Sequence, residues 1–271
     1  MGQDRLSEKE TWQNMYLQQM DGRYWPFPDK RCSAFELDRI YQKYLPKHQG
    51  AKIIEFGCGG SKWLPYFYKV FNYDIYGVDY SEEGCKSALS NLEKIGGKGQ
   101  IFCRDFSEIG EEFNGEYDLA LSYGVVEHFT KPEETIAIFS RYLRDNGIII
   151  TYVPNFSGVM GTLMKRLNKK MYDTHNIFRL PDLVRYHEIC GLDPIYASYL
   201  EFADFTVLSL EVLPIIIQKI LKNLFYLLNR SKLLLYKRFD LNTQSNYLCA
   251  AMIVLARKPA SSTKYINITP S

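Results

Sequence analysis

The clearest indication of the fold is the segment Lys52-Ile53-Ile54-Glu55-Phe56-Gly57-Cys58-Gly59-Gly60-Ser61. Its apolar first half predicts a buried β-strand. The glycines that follow let the backbone turn tightly and approach a ligand, with a helix beginning just beyond. Asp79 closes the next apolar run, 22 residues after Gly57, where a carboxylate can accept hydrogen bonds from ribose hydroxyls. This combination fits a nicotinamide or flavin site as well as an adenosyl cofactor site.

Outward from this turn, short apolar runs alternate with helical segments. Strands are predicted at 52–56, 74–79, 100–103, 117–123, 147–153, near 194–201 and at 247–257. Helices are predicted at 34–45, 63–71, 81–94, 131–143 and 180–190. Such alternation predicts an α/β fold whose sheet is mostly parallel and carries helices on both faces.

The 271 residues divide into three predicted parts. Residues 1–48 are predicted to form an N-terminal helical cap, and 49–258 the main domain, with a helical insertion at about 205–240 before the last strand. Residues 259–271 are predicted to be a flexible tail.

Composition and charge exclude several classes of protein. Lys plus Arg number 33 against 31 acidic residues, a net charge of +2, so the basic excess expected of a nucleic-acid binder is missing. The six cysteines show neither CxxC spacing nor a neighbouring histidine at a zinc-ligand interval, so we predict reduced thiols and no metal site. The polar start of the chain and these thiols predict a cytoplasmic protein.

Five segments, in order and at the right spacing, resemble the class I S-adenosylmethionine-dependent methyltransferases of the small-molecule branch. Glu55, Gly57 and Gly59 match the family's acidic-x-Gly-x-Gly-x-Gly motif, with Ser61 in place of the last glycine. The other matching segments are 76–81, 103–106, 117–129 and 146–154. The resemblance implies a Rossmann-like seven-stranded sheet with an antiparallel last strand, and S-adenosyl-L-methionine as cofactor.

The same resemblance implies which residues hold the cofactor. Glu55 would orient the ammonium of the methionine part, Asp79 the ribose and Asp105 the adenine amino group, while Phe106 would cover one ring face. Two alternatives stay open: Asp105 could simply cap the following turn, and Cys58 could be a small apolar filler. The full predicted cofactor set is Glu55, Gly57, Cys58, Gly59, Asp79, Tyr80, Asp105, Phe106 and Tyr123.

His128 is the predicted general base, because it follows the fourth strand and an unperturbed imidazole titrates near neutral pH. The alternative is that His128 only supports its loop. Tyr16, Trp25 and His175 are predicted substrate contacts, with ordinary aromatic packing as the alternative for Tyr16 and Trp25.

The predicted reaction is methyl transfer to an oxygen, less favourably a nitrogen, of a small-molecule acceptor, by a monomer or homodimer. The stretch 213–230 predicts an amphipathic helix with one basic face, which suits a lid, a dimer contact or a membrane surface. Three alternatives therefore remain open. They are a peripheral-membrane methyltransferase acting on a lipid, quinone precursor or lipid-linked sugar, a nicotinamide-dependent oxidoreductase, and a catalytically silent scaffold.

Overall fold

The structure is a computed structural model that describes residues 5–8, 10, 12–13, 25–108, 110–210, 212–239 and 244–260. One sheet organises the described chain. Its strands are β1 Lys52–Phe56, β2 Asp74–Asp79, β3 Gln100–Cys103, β4 Tyr117–Tyr123, β5 Leu143–Pro154, β6 Asp193–Phe202 and β7 Cys249–Arg257.

The seven strands lie in the order β3-β2-β1-β4-β5-β7-β6. Ile53 of β1 pairs with Ile75 of β2 on one side and Leu119 of β4 on the other, both in parallel. Strand β7 alone among these strands runs antiparallel, between β5 and β6. The predicted mostly parallel sheet with an antiparallel last strand is confirmed. The strand order reverses between β1 and β4, and in such sheets ligands bind beyond the carboxyl ends of the strands at that point.

Eight α-helices belong to the described part of the chain. They are α1 Cys32–Tyr44, α2 Trp63–Tyr66, α3 Glu82–Glu93, α4 Pro132–Tyr142, α5 Val159–Leu167, α6 Lys169–Tyr172, α7 Leu180–Ile189 and α8 Ile215–Phe239. Ser81 caps the beginning of α3, since its hydroxyl accepts a hydrogen bond from the Gly84 N–H. None of the described helices combines the length and the apolarity that crossing a bilayer requires.

Both faces of the sheet are buried, which explains why the strands are continuous apolar runs. Ile53, Leu119 and Ile150 pack on one face against α1 and α2. Ile54, Ala120 and Ile149 pack on the other face against α4 and α7. Successive side chains of a strand point to opposite faces of the sheet, so each central strand contributes alternate side chains to the hydrophobic layer on either face.

The boundaries differ from the sequence predictions in a few places. The predicted helix at 63–71 is α2 followed by one π-helical segment, Phe67–Phe71. The last strand begins at Cys249 rather than 247, and β5 begins at Leu143, directly after α4. The predicted insertion contains α8. Most of the predicted cap and tail lies outside the described residues, so the three-part division of the chain stays a prediction.

Candidate active site

A cavity of about 360 Å³ opens at the carboxyl ends of β1, β2 and β4, where the strand order reverses. Its walls come from the turn after β1, the end of β2, the loops after β3 and β4, and the beginning of α1. Eight of the predicted site residues line it: Glu55, Gly57, Gly59, Asp79, Tyr80, Phe106, Tyr123 and His128.

The glycine turn after β1 is held to β2 by its own backbone. The N–H groups of Gly57 and Cys58 both donate to the Val78 carbonyl, at 2.8 and 3.1 Å. Gly57 adopts a φ of +71°, and a Cβ on it would lie 2.6 Å from Cγ2 of Val125 in the loop after β4. Glycine is therefore required here twice, for the left-handed backbone and for the close approach of the next loop.

Ser61 replaces the last glycine of the family motif, and its hydroxyl links the Glu55 side chain to the beginning of α2. Its hydroxyl donates to the buried Glu55 carboxyl and accepts from the N–H groups of Trp63 and Leu64, both at 3.1 Å. One hydroxyl thus fixes the Glu55 side chain and caps the beginning of α2. Burial raises the pKa of Glu55 to about 8, with the nearby Asp79 charge adding to the effect and the Ser61 hydrogen bond opposing it.

Asp79 ties the glycine turn to the beginning of α3. Its two carboxylate oxygens accept hydrogen bonds from the N–H groups of Gly59 and Ser81, both at 2.8 Å. An ionised carboxylate accepts up to about four hydrogen bonds, so these two contacts are compatible with further bonds to ribose hydroxyls. Substitution of Asp79 therefore perturbs the turn as well as any ligand contact.

Arg5, which the sequence analysis did not single out, enters the cavity from the N-terminal segment. Its guanidinium forms an ion pair with Asp105 and lies over the Tyr80 ring, 4.6 Å from the centroid. Asp105 also accepts from the Ser107 N–H and hydroxyl, at 2.9 and 2.7 Å. Burial favours a higher pKa for Asp105, but the Ser107 hydrogen bonds and the Arg5 charge hold it below its usual value. The turn-capping alternative for Asp105 is thus present in the structure, and its predicted adenine contact stays a prediction.

His128 stands in the cavity wall with a defined tautomer. Its Nδ1 lies 2.7 Å from the Thr174 carbonyl oxygen, which can only accept, so Nδ1 carries the proton and Nε2 holds a lone pair. The Trp12 ring packs edge-on at 4.8 Å, and Leu6 donates its N–H to the His128 carbonyl. Burial, with a smaller contribution from His175, lowers the pKa of His128 to about 3. The imidazole is therefore neutral at physiological pH.

Glu127, His128 and His175 form a group that we term the Glu–His–His cluster; their possible ligand atoms lie within 4.8 Å of one another. Glu127 Oε2 is buried and has no hydrogen-bond partner among the described residues, and burial raises the pKa of this carboxyl to about 8. His175 Nδ1 donates to the Met171 carbonyl at 2.8 Å, which leaves Nε2 as its acceptor atom. Two imidazoles and a carboxylate are donors that a divalent cation accepts, so the predicted absence of a metal site stays a prediction.

Three other predicted residues, Cys58, Trp25 and His175, do not line the cavity. Cys58 is fully buried beneath the glycine turn, as the filler alternative expects. Trp25 packs against Tyr66 at 5.8 Å, while its neighbour Pro26 lines the cavity. His175 contacts the His128 ring at 4.5 Å rather than the cavity itself. Tyr16 lies outside the described residues. The roles of these residues in binding stay predictions.

A glycine turn and a buried acid after adjacent parallel strands, on a seven-stranded sheet with an antiparallel last strand, define a class I S-adenosylmethionine-dependent methyltransferase. Residues 10–196, more than half of the chain, match the family model Methyltransf_23, described as a methyltransferase domain, and the chain belongs to that family. The family membership identifies the chain as a methyltransferase rather than a nicotinamide-dependent oxidoreductase.

The chain is also similar to individual proteins. The ubiquinone biosynthesis O-methyltransferase of Aromatoleum aromaticum is 23% identical over 182 residues, which cover 63% of this chain and 77% of that protein. Among solved structures, a Haemonchus contortus phosphoethanolamine N-methyltransferase 2 in complex with S-adenosyl-L-methionine superposes with a TM-score of 0.58 at 16% identity, over 83% of this chain and 52% of that one. The cyclase SpnF superposes with a TM-score of 0.63 at 15% identity, over 96% and 98% of the two chains. These two structural likenesses show a shared fold.

The residues of the cavity fit S-adenosylmethionine chemically. Glu55 presents a carboxyl to the cavity, the three glycines of the turn line it, and Asp79 is held in place by two N–H donors. When bound, the cofactor supplies an electrophilic methyl group on a sulfonium. Positioning of the acceptor and removal of its proton are then the tasks left to the protein.

Proposed function

We propose that this protein transfers a methyl group from S-adenosylmethionine to the hydroxyl of a small aromatic molecule, with His128 as the proton acceptor. The observation that carries the proposal is the imidazole of His128, which is fixed by Thr174 and stands in the wall of the same cavity as the glycine turn. The similarity to an O-methyltransferase of Aromatoleum aromaticum supports an oxygen acceptor.

The pKa of His128 bears on which hydroxyl reacts. An imidazole whose pKa burial lowers to about 3 is a weak base, and it is already deprotonated in the working pH range. A weak base suits an acceptor whose proton is lost easily. A phenol, with a pKa of about 10 in the tyrosine side chain, is far more acidic than an aliphatic alcohol. The acceptor oxygen also becomes strongly acidic as it gains the methyl group, so a weak base suffices at that moment.

The walls of the cavity favour an aromatic acceptor. Trp12, Trp63 and Tyr123 line it, and the Tyr123 ring stacks on Tyr152 with centroids 4.0 Å apart. Buried aromatic rings present flat apolar surfaces on which another ring packs favourably. Orientation of such a ring brings its hydroxyl within reach of both the methyl donor and His128, and this positioning supplies much of the rate acceleration in a direct displacement.

The test compares phenols with anilines of the same carbon skeleton, by measuring formation of S-adenosylhomocysteine. We expect product from a phenol and none from the matched aniline. His128→Asn keeps a hydrogen-bond donor for the Thr174 carbonyl and should lower kcat about 100-fold or more while leaving affinity for S-adenosylhomocysteine unchanged. His48→Asn, at an exposed histidine, is the matched control. Turnover of anilines alone, or a full rate in His128→Asn, would overturn the proposal.

A further inference from the structure

Among the described residues, helix α8 (Ile215–Phe239) has its buried side chains along one side and exposed ones along the others. Phe225 stacks on Phe205 at 5.5 Å, and Asn229 donates to the Asp204 carboxylate at 2.9 Å. Leu233 packs against Cys32 of α1. These contacts fix which way the helix is rotated about its axis. The rotation of α8 therefore determines which of its side chains are exposed.

The face that points outward is apolar. We term outer stripe the five exposed side chains that follow one another along it: Ile216, Ile220, Leu224, Leu227 and Leu234. Their exposed fractions run from 46 to 70%. Single exposed apolar residues are normal on a protein surface, whereas a continuous row along one helix marks an interaction surface.

A basic edge borders the outer stripe. Lys219, Lys222 and Arg230 are exposed and lie about 70–150° round the helix axis from the centre of the stripe, all on the same flank. Between Ile215 and Phe239 the sequence contains six basic residues and no acidic one. Long basic side chains beside an apolar face can reach a layer of negative charge while the apolar groups are buried.

We propose that α8 lies flat on an anionic membrane surface, with the outer stripe at the boundary between headgroups and acyl chains and the basic edge on the lipid phosphates. Charge complementarity selects this occupant. A second copy of the helix would cover the stripe but would add its own positive charges to a surface that has no acidic partner along α8. An anionic bilayer supplies both the apolar layer and the negative charge.

Helix α1 connects this surface to the active site. Ala34 and Leu37 of α1 line the cavity, while Cys32 and Phe35 of the same helix pack with Leu233 of α8. Because both α8 and α1 lie between the outer stripe and the cavity, the proposed membrane face is about two helix diameters, on the order of 20 Å, from the cavity wall. The inference concerns docking of the protein, and vesicle binding measures it whether or not the proposed phenol methylation is correct.

The test is co-sedimentation of the full-length protein with phosphatidylcholine vesicles, with and without a minority of phosphatidylglycerol. The wild type should pellet with the anionic vesicles and be released by added salt, because salt screens exposed charges. A variant with Lys219→Gln, Lys222→Gln and Arg230→Gln should bind roughly 100-fold more weakly. The estimate follows from about 1 kcal/mol per charge near the surface and 1.4 kcal/mol per tenfold.

A matched charge control separates this effect from net charge. Lys69, Lys86 and Lys98 are exposed lysines on other surfaces, and their combined replacement by Gln should leave vesicle binding unchanged. Equal weakening by both triple variants would overturn the assignment to α8.

A second set of variants tests whether the apolar side chains of the outer stripe contact the membrane. Ile220→Ser with Leu227→Ser should abolish pelleting while the thermal unfolding transition is preserved, since both side chains are exposed. Ile189→Ser, at a similarly exposed position on α7, is the control and should pellet like the wild type. Failure of the wild type to pellet, or self-association in solution that the stripe variant abolishes without any vesicle binding, would overturn the proposal.

Discussion

Gly57 offers the sharpest test of the site geometry, because its replacement by alanine has two separable costs. The backbone is left-handed at φ +71°, which costs an alanine about 1–2 kcal/mol. The new Cβ would also lie 2.6 Å from Val125 Cγ2, and such overpacking typically costs about 1–3 kcal/mol. Gly57→Ala should therefore lower the free energy of unfolding by about 2–5 kcal/mol.

Gly50→Ala isolates the first of these costs. Gly50 has nearly the same backbone, with φ +74°, and no atom lies within 4 Å of its would-be Cβ. It should lose only the left-handed term, about 1–2 kcal/mol. The excess loss in Gly57→Ala then measures the contact with the loop that carries Val125.

Val125→Ala should relieve that contact. The double variant Gly57→Ala, Val125→Ala is expected to be more stable than the sum of the single effects by about 1–3 kcal/mol. Urea unfolding gives the free energies, and calorimetry with S-adenosylhomocysteine reports whether the turn still binds ligand. We expect the single Gly57 variant to lose affinity and the double variant to recover part of it.

The reasoning would be refuted if Gly57→Ala cost no more than Gly50→Ala, or if removal of the Val125 methyl groups produced no recovery. Either result would mean that the two loops do not meet as the structure shows.

Three further predictions concern protons and ions. Burial raises the pKa of Glu55 to about 8, and the ammonium group of bound S-adenosylhomocysteine should ionise this carboxyl. Below pH 8, binding of S-adenosylhomocysteine should therefore release a proton, and its affinity should increase as pH rises. Calorimetry in buffers of different ionisation enthalpy measures the released proton, and Glu55→Gln should abolish the buffer dependence. Burial, with the charge of Asp204, raises the pKa of Glu201 in the folded protein to about 8, whereas the pKa of an unfolded Glu is about 4.3. The contribution of protonated Glu201 to the free energy of unfolding is therefore complete below about pH 4.3 and is lost as pH rises toward 8. Urea titrations at several pH values give the slope of the free energy of unfolding against pH. Glu201→Gln should reduce this slope by up to about 1.4 kcal/mol per pH unit, and an unchanged slope would contradict the raised pKa of Glu201. Dialysis against EDTA should leave methyl transfer unchanged; activity lost and then restored by a divalent cation would instead assign the Glu–His–His cluster to a metal.

The candidate site was predictable wherever its parts are local in sequence. The glycine turn directly follows β1, and Asp79 closes β2, so strand ends and turn residues placed both at one edge of the sheet. Ser61 could be recognised as a departure from the motif, but its role as a joint between Glu55 and α2 required the geometry. The residue that the sequence analysis missed most clearly is Arg5, because nothing near it in sequence shows that it reaches Asp105, 100 residues away.

The cofactor was implied by the resemblance to the methyltransferase family. Local patterns in the sequence determined two further results, the class of fold and the position of the glycine turn. These follow from hydrophobic period and from backbone requirements that only glycine meets, and both act over a few residues. Tertiary structure alone decided that His175 joins Glu127 and His128, and which face of α8 stays exposed. Those outcomes depend on how distant elements pack, and an amphipathic pattern states that a face is apolar without stating what covers it.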